Sequence, residues 1–175
     1  LAELSLARAE FAFGDVAAGE AIVKRRLAVD PADSEALLVA GQGQLAAGER
    51  NTDQYEDRFK AARPYLVKAY GQDQDDYRIL LAYLRSRTVD PAYPNDNDLN
   101  ALMTVRALAP TVDTAAIMLG EARLHHDRQA EAVAVLSIIA NAPHGGGAAT
   151  IARSLIDGQP ISPLTAASAA LDEAK

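Results

Sequence analysis

Two stretches of this chain repeat one set of offsets. After Pro31 come Leu37, the pair Ala40-Gly41 and then Gly48; after Pro110 come Ala116, the pair Leu119-Gly120 and then Asp127 at the same intervals. A further stretch, Gly14-Asp15 to Asp30-Pro31, matches the length and apolar spacing of Asp127 to Pro143. Self-similarity on this scale restricts a chain to architectures assembled from copies of one small supersecondary unit. Apolar residues recur three and four apart between the breakers, as at Leu4, Ala7 and Phe11, and almost nothing alternates with period two. The repeated unit is therefore helical.

The punctuation by Gly, Asp and Pro predicts nine helices, most of them paired as antiparallel hairpins. The first pair holds Leu4 to Phe11 and Ile22 to Val29. The second runs over 34–48, with Ser34 as N-cap, and from near Phe59 to Tyr70. The third covers 77–87 and 98–109, the fourth 113–126 and 129–141, and a last helix, 148–156, has no evident partner. Composition agrees with an all-α chain. Alanine is roughly a fifth of the 175 residues, and 49% are hydrophobic but only 5% aromatic. That mixture suits helices packed closely with little bulk between them.

The same arithmetic removes several function classes. A net charge of −7 is the wrong sign for a reader of phosphate backbones, so no nucleic-acid partner is expected. Without cysteine there is no disulfide, Cys-ligated zinc or thiol nucleophile. No apolar run is long enough for membrane insertion. The chain opens Leu1-Ala2-Glu3, without methionine or a basic segment before an apolar run, so it is expected to be processed or part of something longer. Its compartment, cytoplasmic or periplasmic, stays open.

The recurring spacing resembles the tetratricopeptide repeat, a helix-turn-helix unit of about 34 residues, in a divergent bacterial-type form. Gly41 and Gly120 match the small residue where the two helices of a hairpin cross. Leu37 and Leu119 match large positions between neighbouring repeats. Ala132 and Leu136, Gly19 and Val23, and Ala62, Leu66 and Ala69 match small and large positions on the second helices. The resemblance implies an α-solenoid of three to four antiparallel helix hairpins with a C-terminal capping helix, over residues 1–157. Residues 158–175, with Pro160 and Pro163, are expected to be a tail, loosely docked or disordered, in which 165–174 is a candidate short helix.

Two departures stand out. Segments 50–57 and 88–97 read as long turns inside the second and third hairpins, leaving from the same edge of a superhelix. The third unit also carries Leu81 in place of a crossing glycine, so its helices are expected to be further apart or offset.

The chemistry-bearing residues form no catalytic set. His125 and His126 are adjacent, so they point about 100° apart and cannot share a metal as an i, i+4 pair would; they read as cations at a helix C-terminus. His144-Gly145-Gly146-Gly147 reads as a connection between helices, since no Gly-x-Ser-x-Gly elbow accompanies it. Residues 72–76 and 95–98 are acidic runs that read as helix caps; 95–98 lacks the central Gly and distal Glu of a calcium loop. No metal or cofactor is expected.

The resemblance implies that function lies on the concave face lined by the first helix of each hairpin. In that register the face presents Arg8, Phe11, Leu38, Gln42, Leu45, Arg78, Arg85, Glu121, Leu124 and His125. The arginines suit a carboxylate or acidic segment of a partner. Leu4 and Gln42 stand where chaperone-binding members carry Lys and Asn, so that carboxylate grip is not expected. The expectation is a non-catalytic scaffold for a protein or peptide partner. The alternative is an accessory repeat region of a larger enzyme, a metallopeptidase or transferase, with its catalytic part upstream of Leu1. A terminal repeat exposing Leu1, Leu4 and Leu6 would also allow weak self-association.

Overall fold

The computed structural model of the protein describes residues 2–159, so the expected tail helix at 165–174 lies outside the described residues. Within them the chain is all-α: α1 (Ala2–Phe13), α2 (Val16–Val29), α3 (Ser34–Arg50), α4 (Tyr55–Gln72), α5 (Tyr77–Arg87), α6 (Asp96–Leu108), α7 (Asp113–His125), α8 (Gln129–Ala140) and α9 (Gly146–Ile156). No strand occurs among the described residues.

Carboxylates and amides start several helices. Asp15, Asp33 and Asp76 accept the N–H of Ala17, Ala36 and Arg78 at 2.8, 2.9 and 2.9 Å. Asn95 accepts from Asn97 and Asp98, while Asp98 accepts the N–H of Asn95 at 3.0 Å, a reciprocal box that explains the second acidic run. The cap of α3 is thus Asp33 and not Ser34, one residue later. Asp33 accepts hydrogen bonds from the Ala36 N–H and from Arg26 at 2.6 Å, and the first of these does most to hold its carboxyl below the usual range. Asp33→Ala should therefore cost about 1 kcal/mol at neutral pH. Because the folded-state pKa is depressed, that difference is fully present above the unfolded value near ~3.9 and closes as pH falls through the folded one. Thermal melts of both proteins at neutral and acidic pH measure it.

Glycines set the hairpin crossings. A Cβ on Gly41 of α3 would lie 2.5 Å from Leu66 Cδ2 of α4, and one on Gly120 of α7 would lie 2.5 Å from Leu136 Cδ2 of α8. The two hairpins use the same device, a leucine seated on bare backbone. The residues that follow at matching offsets then diverge. Asp127 leaves α7 in the left-handed region at φ 57°, whereas Gly48 stays inside α3, where an added Cβ would lie 3.0 and 3.2 Å from Arg58 and Phe59 of α4. Gly48 is a second close approach and no helix stop. The expected long turn at 50–57 is consequently absent: Arg50 ends α3, one 3-10 turn spans Thr52–Gln54, and α4 begins at Tyr55. The connection from Thr88 to Asn95 is long, as expected.

The chain divides into two compact units, the first ending at Tyr93 and the second beginning at Pro94. That division falls within the third expected hairpin. Its first helix, α5, packs on α3 and α4 in the first unit; its second, α6, packs on α7 in the other. In the first unit α3 lies between two apolar clusters. Its Ala36, Val39 and Ala40 join Leu4, Ala7, Phe11, Ile22 and Val23, while Leu37, Leu38 and Leu45 join Phe59, Ala62, Leu66, Ala69 and Ile79. The second unit buries Leu99, Leu102 and Val105 of α6, residues 115–120 of α7, Leu136 and Ile139 of α8, and Ile151 and Leu155 of α9. The last helix packs on both α7 and α8.

Candidate functional site

Helix α3 touches α1, α2, α4 and α5, so little of its surface reaches solvent. Between its two ends only Glu35, Gln42, Ala46 and Glu49 are half-buried, a narrow stripe at the spacing of one helix face. Of the three α3 residues expected on the concave face, Gln42 lies on this stripe. Leu38 and Leu45 do not: both are fully buried, because they fill the space between α3, α4 and α5. Phe11 is also withdrawn. Its ring lies against Gly19 of α2 and Gly43 of α3, where added Cβ atoms would come within 3.1 and 2.4 Å of it.

The three expected arginines are on the surface, but each already holds a carboxylate. Arg8 of α1 meets Glu35 at 2.5 Å, and Arg78 of α5 meets the other Glu35 oxygen at 3.0 Å while gripping Asp76 at 2.6 Å. The bond to Asp76 does most to keep the Arg78 guanidinium charged. Arg85 of α5 pairs with Glu49. Burial pushes the Glu49 carboxyl up, and Arg85 opposes it. Glu35 and Glu49 thus tie α1 and α5 to α3 and bring Arg8, Arg78 and Arg85 beside the Gln42 stripe. Glu121 and His125, both exposed, and half-buried Leu124 belong to α7 in the second unit. Glu121 is open to solvent yet flanked closely enough by protein that its carboxyl is raised, with His125 one turn on opposing the shift. Leu4, expected to be exposed at the terminal repeat, is buried at 5%, whereas Leu6 is 53% exposed. Leu1 lies outside the described residues.

Other features were not visible in sequence. Arg50 of α3 donates to the carbonyls of Phe11 and Gly14 at 3.0 and 3.1 Å, closing the end of α1. Arg63 of α4 does the same for α5 through the Ser86 carbonyl at 2.8 Å and also holds Asp90. Arg153 of α9 reaches the Ala140 carbonyl of α8 at 2.9 Å. Each cation meets the negative end of a helix dipole and satisfies a carbonyl the helix leaves open.

On the other side of α3, helices α2 and α4 scarcely touch one another, and an open groove of about 580 Å³ runs between them. Phe11, Val23, Leu27, Ala28 and Ala40 give it an apolar lining, with Glu20, Lys24, Gln44 and Tyr65 as polar members. One end is fastened by a closed polar triad: Glu20 accepts from Gln44 at 3.0 Å and from Arg58 at 2.8 Å, and Arg58 also donates to the Gln44 carbonyl at 2.8 Å.

Among the described residues no group of three or more His, Asp or Glu is placed to hold a metal ion, and no helix is long and apolar enough to cross a membrane. No protein-family profile, curated protein or solved structure matches the chain.

Proposed function

We propose that the protein is a non-catalytic binding scaffold, a tetratricopeptide-like stack of hairpins that holds a protein or peptide segment on the face formed by its first helices. The observation that carries this reading is the alignment of α1, α3 and α5 by two glutamates, Glu35 and Glu49, around the solvent-facing stripe through Gln42. The shared glycine-on-leucine crossing of the α3–α4 and α7–α8 hairpins supports the repeat reading, since one unit used twice is how such arrays are assembled. In this reading Gln42, Arg8, Arg78 and Arg85 contact the partner.

A photo-crosslinking side chain placed at Gln42, and at Val67 on the exposed side of α4 as a control, tests the assignment in extracts of the cells of origin. Crosslinks to a discrete partner from Gln42 and none from Val67 are expected. Equal capture at both positions, or none at either, would overturn it.

A further inference from the structure

The groove between α2 and α4 takes no part in the binding face just described, and its charges do not balance. Glu20 and Lys24 stand one turn apart on α2, the spacing at which a glutamate ordinarily holds a lysine. Here Glu20 turns to Arg58 and Gln44 instead, and Lys24 has no carboxylate partner among the described residues. Tyr65, on the α4 wall, is half-buried against both apolar clusters, and its hydroxyl bonds to no described residue.

Register places these two groups at one level. Gln44 of α3 reaches Glu20 of α2, and Gly41 of α3 lies against Leu66 of α4. One turn along α2 from Glu20 is Lys24 and one turn back along α3 from Gln44 is Ala40, while Tyr65 precedes Leu66 beside the same Ala40–Gly41 turn. An ammonium and a phenol therefore stand on opposite walls above Ala40, Phe11, Val23 and Leu27. Both are donors toward an anion. Two donors match the two oxygens of a carboxylate, and the Glu20 carboxylate at the fastened end disfavours a more highly charged group such as a phosphate. The space, about 580 Å³, has the size of sites for small organic ligands.

We propose that this groove binds a small amphipathic carboxylic acid, with its carboxylate between Lys24 Nζ and Tyr65 Oη and its hydrocarbon part on Phe11, Val23, Leu27 and Ala40. Neither polar residue belongs to the α1–α3–α5 face, so the site stands or falls separately from the scaffold reading.

Octanoate is the probe, titrated into the whole protein at low ionic strength and followed by two-dimensional amide NMR. Saturable shifts confined to α2, α4 and the residues around Phe11 and Ala40 are expected, with a dissociation constant below ~1 mM. Lys24→Met should weaken binding about tenfold or more, and Tyr65→Phe several-fold, with unchanged spectra away from the groove to show that both variants fold. Octanol, which shares the tail and lacks the charge, should bind about tenfold or more weaker than octanoate. Absence of saturable shifts, shifts centred elsewhere, or equal binding by octanol or by Lys24→Met would overturn the assignment. Tighter binding of a tripeptide ending in a leucine carboxylate would overturn the free acid and make the occupant a chain end.

Discussion

Replacing Phe11 by alanine should destabilise the first unit by about 3–5 kcal/mol, read as a lowered midpoint in urea unfolding followed by circular dichroism. The ring is 2% exposed and lies between two glycines, Gly19 and Gly43. Glycines have no side chains that can swing into the vacated volume, so the cavity relaxes little and the cost belongs to the upper part of that range. A residue that served the partner would behave otherwise, with binding lost and stability kept. A destabilisation below ~1 kcal/mol, smaller than any ordinary loss of a buried ring, would return Phe11 to the surface and break the account of how α1, α2 and α3 meet.

The corresponding test in the second unit is Gly120→Leu, expected to cost about 1–3 kcal/mol. Its Cβ alone would sit 2.5 Å from Leu136 Cγ and Cδ2, closer than real side chains come, so α7 and α8 must separate or Leu136 must leave its rotamer. Leu136→Ala by itself opens a cavity and costs about 2–5 kcal/mol. Combining the two should cost less than their sum, because the new leucine occupies part of the space the old one leaves. Gly71→Ala provides the opposite sign. Nothing lies within 4 Å of the added methyl, and α4 gains about 0.5–1 kcal/mol from the stiffer residue. Equal losses at Gly71 and Gly120 would mean that the crossing has no special geometry.

Much of this was legible in the sequence, and the exceptions have a common cause. The succession of helices, the crossing glycines and the small and large positions at Ala62, Leu66, Ala132 and Leu136 all follow from periodicity and breakers, which are local signals. Those four residues are all fully buried. Which side of a helix faces water is not local when the helix has neighbours all round. For α3 the sequence places Leu38, Gln42 and Leu45 together, but four surrounding helices leave open the stripe of Glu35, Gln42, Ala46 and Glu49. Gly48 misled for a related reason: a glycine that ends a helix and a glycine that admits a neighbouring helix look alike until the neighbour is in place. The pairing of Arg8, Arg78 and Arg85 depends on contacts between residues 27 to 43 positions apart, beyond the reach of any helical period. The groove is less legible still, since it is defined by two helices that fail to meet.

The glutamates that align the first helices have a consequence for selectivity. A surface with vacant cations would attract any acidic segment over a distance, and its affinity would fall steeply with salt. Here an arriving carboxylate finds Arg8 and Arg78 occupied by Glu35, so it must exchange with a ligand the protein supplies for itself. Only the difference between the two contacts is available as affinity. On the proposed scaffold reading, such a face would discriminate by how well the whole segment fits, shielded from non-specific polyanions by its own internal competitor.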